Sequence, residues 1–239
     1  MALLAALTGC GTMRTVSVEP TGAAPADAPR LLPTDLRVPD PRHQRTIAWM
    51  RRLCDDDARV PGSALDVLRT SPSAPRLMAI LAEEGVPPEM VAVPAVESGL
   101  RSHVRGRHGE RGIWQIRPAT ARRLGLRVGA GRDDRLDLER STRAAARYLA
   151  RLHRRYGTWP LALAAYNAGE GRVDRALARH PKAAFWELAE RRALPNHSRT
   201  YVPKVLAMIE LVATPGVCRG PQSLAARPMG TAVSGRARP

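Results

Sequence analysis

Between residues 42 and 212 the apolar positions recur at helical spacing, and the strict alternation of a half-buried strand is missing. The clearest stripe runs over 138–156, where Ala145, Tyr148, Leu149, Leu152 and Tyr156 fall at i, i+3, i+4, i+7 and i+11. Asp137 is placed to cap that helix and Gly157 to end it. Shorter stripes predict a helix over 42–53 (Ile47, Met50, Leu53) and another over 75–84 (Leu77, Ile80, Leu81), stopped by Gly85. A third starts at Pro87-Pro88, where a missing N–H does no harm in a first turn, and runs to Glu97. Pro94 is expected to kink or loosen it. Further helices fit 118–124, the small-residue run from Pro160 to Tyr166, 171–179, 182–191 and 197–212, the last with Pro203 inside. No stretch reads as a β-hairpin, and 101–116 reads as an irregular or two-stranded piece. The fold class is all-α.

The flanks behave differently. Residues 11–41 are rich in Pro, Ala, Thr and Asp without an apolar period and read as a flexible linker. Residues 213–239 read as a disordered tail. The core thus divides into an N-terminal helical extension, 42–74, and a main domain, 75–212. Residues 1–10 open with an apolar run, and Leu7-Thr8-Gly9-Cys10 resembles the lipobox of bacterial lipoproteins, which implies lipidation of Cys10, export and a membrane anchor. The run is too short to span a bilayer and lacks a basic leader. In an oxidising compartment Cys54 and Cys218 can pair, although sequence separation says nothing about their proximity.

Composition reinforces the helical reading, because the 44% hydrophobic share is mostly Ala, Leu and Val, with one Phe and four each of Trp and Tyr. Charge raises a separate question. Thirty-eight basic against 22 acidic residues give +16, which suits an anionic partner or an Arg-solvated surface equally well. The arginines are scattered and form no nucleic-acid motif. No Cys/His spacing suggests a metal site, and no cofactor is called for.

A carboxyl group that follows an apolar segment at a helix end is a candidate proton donor, because desolvation and nearby carbonyls disfavour its ionised form. Glu97, after Val91-Ala92-Val93-Pro94-Ala95-Val96 and before Ser98-Gly99, has that setting. Four blocks follow in order: Gly112-Ile113-Trp114-Gln115-Ile116 with Pro118 and Thr120, the helix start after Asp137, Ala165-Tyr166-Asn167-Ala168-Gly169, and Tyr201-Val202. This series resembles the catalytic domain of the soluble-lytic-transglycosylase (SLT) family, with spacing similar to the membrane-bound D-type enzymes.

The resemblance implies a lysozyme-like, goose-type helical domain with a substrate groove, acting on peptidoglycan in the cell envelope, on the periplasmic side. It implies Glu97 as catalytic acid/base, with Ser98, Trp114, Gln115, Tyr166, Asn167 and Tyr201 at the saccharide. Trp114 can stack on a sugar face or serve as a core aromatic. The implied reaction needs one carboxyl group and closes a 1,6-anhydro ring on N-acetylmuramic acid. A hydrolytic muramidase would want a second carboxylate, for which Asp133, Asp134 and Glu170 are candidates, although their spacing favours loop and cap roles. A non-catalytic wall-binding protein is the third reading. It draws on a departure from the family: where the family has a Ser nine residues after the glutamate, this chain has Gly106. Arg101, in place of an Asn or Asp, and Glu110-Arg111, in place of small residues, depart from the pattern as well. His103, His108 or a backbone amide are candidates to replace that hydroxyl.

Overall fold

The computed structural model describes Pro33, Thr34, Leu36 and residues 44–214 and 216–219. Cys10, the apolar run before it and most of the linker and tail lie outside the described residues. The described chain is helical, with isolated bridges in place of strands (Arg105 with Arg111, Arg111 with Ile116), so the all-α class and the irregular 101–116 segment are as expected.

Ten α-helices succeed one another among the described residues: α1 Gln44–Arg59, α2 Ala64–Thr70, α3 Ala74–Glu83, α4 Ala92–Ser98, α5 Pro118–Arg123, α6 Leu138–Tyr156, α7 Trp159–Ala168, α8 Glu170–Arg179, α9 Phe185–Glu190 and α10 Asn196–Ala213. Local chemistry sets several of the ends. Asp137 accepts from the Arg140 N–H at 2.9 Å to cap α6, and Gly157 ends it with a left-handed φ of 75°. Helix α2 falls within the predicted helical extension and is capped by Ser63, whose Oγ accepts from the Asp66 N–H at 3.1 Å.

Pro94 does not kink a continuous helix. The segment instead breaks earlier, into a 3-10 turn at Pro88–Val91 followed by α4. That leaves Pro94 third in α4, among the first four residues, whose N–H groups have no intrahelical acceptor, so its missing donor removes no bond.

Helix α7 is the centre of the domain. Its residues from Trp159 to Ala165 are all buried, the signature of a helix covered on every side. The long helices α6 and α10 pack against it, α3 lies on α6, and α4 lies on α10. Alanines at 162, 164 and 165 let the neighbouring backbones come close. The outer faces of α3 and α6 carry much of the arginine: Arg143 and Arg147 pair with Glu84 at 3.3 and 2.9 Å.

The N-terminal extension is fastened to this body. Helix α1 packs on α10, and Cys54 is disulfide-bonded to Cys218 with a Cα–Cα distance of 5.3 Å. The tail expected from residue 213 is therefore corrected: residues as far as 218 are tied to α1 by that bond. The linker also needs correction at Leu36, which is fully buried in the core.

Candidate active site

Helix α4 ends at the site. Gly99 caps it with φ 60°, a conformation that costs a glycine nothing, and Glu97 stands in the last turn. Ser98, beside it, is 4% exposed, and its Oγ donates to the carbonyls of Pro94 at 3.2 Å and Ile113 at 2.9 Å. The expected contact of Ser98 with a saccharide is corrected accordingly, since its hydroxyl is consumed in joining α4 to the following loop.

That loop is held from below by a buried arginine. Arg135 donates to the carbonyls of Gly109 at 2.6 Å and Ile116 at 3.0 Å, and its guanidinium pairs with Asp133 at 2.8 Å. Hydrogen bonding from Arg135, together with Arg111 and against the effect of burial, brings the Asp133 carboxyl down to about 2. Gly112 approaches the Arg135 backbone so closely that a Cβ would collide with its carbonyl. Asp133 is thus an anchor of the loop, as its spacing suggested, and is spent on arginines.

The loop sends Trp114 and Gln115 in opposite directions. Trp114 is fully buried and donates Nε1–H to Thr142 Oγ1 at 2.9 Å, so it is the core aromatic and its expected sugar contact is corrected. Gln115 takes a φ of 47°, a left-handed conformation disfavoured for a residue with a side chain, and this turns its amide into a groove. Its Nε2 donates to the carbonyls of Gly112 at 2.7 Å and Val104 at 3.1 Å. With both amide hydrogens committed, the oxygen is the group left to meet a ligand.

The groove, about 440 Å³, is lined by Glu97, Glu110, Gln115, Tyr166, Asn167 and Glu170 among others. Tyr166 and Asn167 come from the end of α7. The Tyr166 hydroxyl donates to the Trp114 carbonyl at 2.8 Å, while Asn167 Oδ1 accepts from Ser198 Oγ at 2.7 Å, which leaves its NH₂ as a donor. Tyr201, on α10, is 9% exposed and is not among the residues that line the groove. Its hydroxyl is buried without a hydrogen-bond partner, and its influence on Glu97 is to lower that carboxyl's proton affinity.

Burial pushes Glu97 up to about 7, and the negative charge of Glu110 acts in the same sense; the Tyr201 hydroxyl and, more weakly, Lys204 oppose them. A carboxyl poised there can give a proton near neutrality and take one back. Among the described residues no three His, Cys, Asp or Glu side chains converge as metal ligands do.

Some groove residues were not expected at the site. Glu110 occupies a position where the family pattern has a small residue, and His197, at the start of α10, lines the groove without belonging to any block. Tyr148 falls on the helical stripe of α6, where periodicity marks it as core, and it nevertheless lines the groove.

The site is thus a groove on a helical body, lined by one carboxyl group with raised proton affinity and by two side-chain amides. The comparisons with known proteins agree with the resemblance seen in the sequence. Residues 77–189 match the family model of the transglycosylase SLT domain. Membrane-bound lytic murein transglycosylase D of Escherichia coli is 37% identical over 150 residues, covering 61% of this chain and 32% of that relative. The chain thus spans about a third of that relative's length. Peptidoglycan transglycosylase gp16 of Escherichia phage T7 is 34% identical over 112 residues, or 46% of this chain and 8% of that protein. Among solved structures, an inactive Glu-to-Gln mutant of the lytic transglycosylase Slt from Pseudomonas aeruginosa superposes with a TM-score of 0.51 at 25% identity, over 74% of this chain and 31% of that one.

Proposed function

We propose that this protein is a peptidoglycan lytic transglycosylase and that Glu97 is its one catalytic acid/base. The observation that carries the proposal is the Glu97 carboxyl itself, at the end of α4, opening on the groove with its proton retained to about pH 7. Protonated Glu97 donates to the oxygen linking N-acetylmuramic acid to N-acetylglucosamine, and that bond breaks. The substrate's own acetamido oxygen stabilises the cationic sugar centre. Glu97, now a carboxylate, removes the proton of the muramoyl C6 hydroxyl, whose oxygen closes the 1,6-anhydro ring. Ring closure is intramolecular and gains from a high effective concentration. No water enters the balance.

The amide pair beside Glu97 suits such a substrate. Asn167 offers donors and Gln115 an acceptor, the complement of an acetamido group, which carries one of each. The relatives named for lytic transglycosylase and peptidoglycan transglycosylase activity support the substrate class. Mass spectrometry of products from purified sacculi tests the proposal. Wild type should release fragments one water lighter than muramidase products, and Glu97→Gln should release none. Products that carry the extra water would instead select the hydrolytic reading.

The same proposal places the protein in the cell envelope, exported to the periplasmic side and lipid-anchored at Cys10. The lipobox-like Leu7-Thr8-Gly9-Cys10, a disulfide suited to an oxidising compartment and the membrane-bound relative support it. Among the described residues no helix is long and apolar enough to cross a membrane. Incorporation of labelled fatty acid that Cys10→Ala abolishes is the expected result.

A further inference from the structure

The loop between α4 and Gly112 departs from the family pattern at Gly106 and at Glu110, and the two departures are one feature. A Cβ on residue 106 would fall inside van der Waals contact with the Glu110 carboxyl and 2.8 Å from its Cβ. Gly106 does not take a positive φ, so its backbone does not require glycine. Space does. The Gly106 N–H also donates to the Glu110 carbonyl at 2.9 Å, which closes the loop around the glutamate.

The carboxylate of Glu110 is fixed on both sides. Its Oε2 accepts from the His108 N–H at 2.8 Å and its Oε1 from Arg117 Nε at 2.9 Å. Burial works against its ionisation. Hydrogen bonds from its own and the His108 backbone and from Arg117 outweigh that effect and hold the carboxyl below the usual carboxylate range. Glu110 is therefore a stationary anion in the groove that Glu97 lines. Four groups act on Glu97 from the elements around it: Tyr201 and Lys204 of α10, Tyr166 of α7 and Glu110 of the loop. Of these, Tyr201 and Lys204 favour ionised Glu97, and the Tyr166 hydroxyl is spent on Trp114. The negative charge of Glu110 favours the protonated acid.

We propose that Glu110 is a positioning residue for Glu97: its fixed negative charge, admitted to the groove by the absence of a side chain at residue 106, keeps Glu97 in its proton-donating form. Where the family places a neutral hydroxyl, this chain places an anion, and Gly106 is the vacancy that accommodates it. The proposal rests on the reading of Glu97 as the acid.

The test is the pH profile of turnover on purified peptidoglycan. Loss of a like charge lets Glu97 ionise more easily, so Glu110→Gln should move the alkaline limb to lower pH by about half a unit, read as a roughly threefold loss above the limb relative to the acid plateau. Gly106→Ala, which expels the carboxylate, should move it in the same direction. The double variant Gly106→Ser/Glu110→Ala removes the charge and refills the space, and carries the same expectation if Glu110→Gln fails to fold. A folded variant that loses activity equally at every pH, with its limb unmoved, would make Glu110 structural only and overturn the proposal. Glu97→Gln measured alongside separates the two claims. Activity surviving there sinks the assignment of Glu97, whereas its loss together with an unmoved limb in Glu110→Gln sinks only the role of Glu110.

Discussion

The hydroxyl of Tyr166 donates to the backbone carbonyl of Trp114 at 2.8 Å, which ties the end of the central helix to the loop that carries Gln115. Burial, followed by the charges of Glu97 and Tyr148, raises the phenol well above its ordinary range, so Tyr166 is a neutral donor near neutral pH. Removal of the hydroxyl leaves the Trp114 carbonyl unpaired in a buried setting. Tyr166→Phe should therefore cost about 1–2 kcal/mol of stability, measured by urea unfolding. The larger effect is expected on kcat/KM, a drop of about tenfold or more, since a small misplacement of a substrate-orienting amide is amplified in rate. A variant with unchanged kinetics would place Tyr166 outside the machinery.

Much of this arrangement is legible in the residue pattern, and the part that is not has physical causes. Helix α6 could be read to its last residue because an amphipathic stripe, an Asp cap and a terminal Gly all agree. The tryptophan beside Gln115 could not be placed, because two adjacent residues on an irregular loop face opposite ways and no periodicity says which faces inward. The left-handed φ of Gln115 settles the matter, and such a φ leaves no trace in composition. Glu110 stands out in the sequence as a departure from the family pattern, but its place in the groove does not, for a related reason. Its position depends on an empty volume at Gly106 that exists only once the loop has closed. The pairing of Cys54 with Cys218, 164 residues apart, likewise follows from the packing of α1 on α10.

Tyr201 gives a prediction with an unusual sign. Its hydroxyl is buried without a well-formed hydrogen bond, so deleting it removes a desolvated group that returns little, and Tyr201→Phe should leave stability within about 1 kcal/mol of wild type or slightly raise it. The same hydroxyl lowers the proton affinity of Glu97. Its loss should move the alkaline limb of activity to higher pH, the direction opposite to Glu110→Gln, while kcat falls because the carboxylate formed after proton donation loses that stabilisation. A limb that stays in place would show that the hydroxyl does not reach Glu97 in solution.

Glu97 also links pH to stability. Its carboxyl sits at about 7 in the fold against roughly 4.3 in an unfolded chain, so between those values the native state holds a proton that the unfolded state has released. Stability therefore falls as pH rises through this window, and the penalty is complete above pH 7. Because the side chain opens partly on solvent, about 2 kcal/mol is a reasonable ceiling. Glu97→Gln, which cannot ionise, should be the more stable protein at pH 8 and nearly indistinguishable from wild type at pH 4. Denaturation midpoints at the two pH values measure the difference directly. Equal gains at both would mean that packing, and not the charge, separates the variants.

The bond between Cys54 and Cys218, 164 residues apart, constrains a long stretch of chain in the unfolded state, and a cross-link of this span contributes on the order of 5 kcal/mol in the chain-entropy account. Its native role is more local. It holds α1 against α10, the helix that carries Tyr201 and, at its first turn, His197. Cys54→Ser/Cys218→Ser should therefore lower the urea midpoint substantially, and hydrogen exchange should show the loss of protection first in α1. The loop that carries Gln115 is fastened separately through Arg135 and Asp133, so turnover well below the new melting temperature should stay within about threefold of wild type. If activity instead collapses while the loop remains protected, the seat of α1 on α10 governs the position of Tyr201, and the extension belongs functionally to the active site.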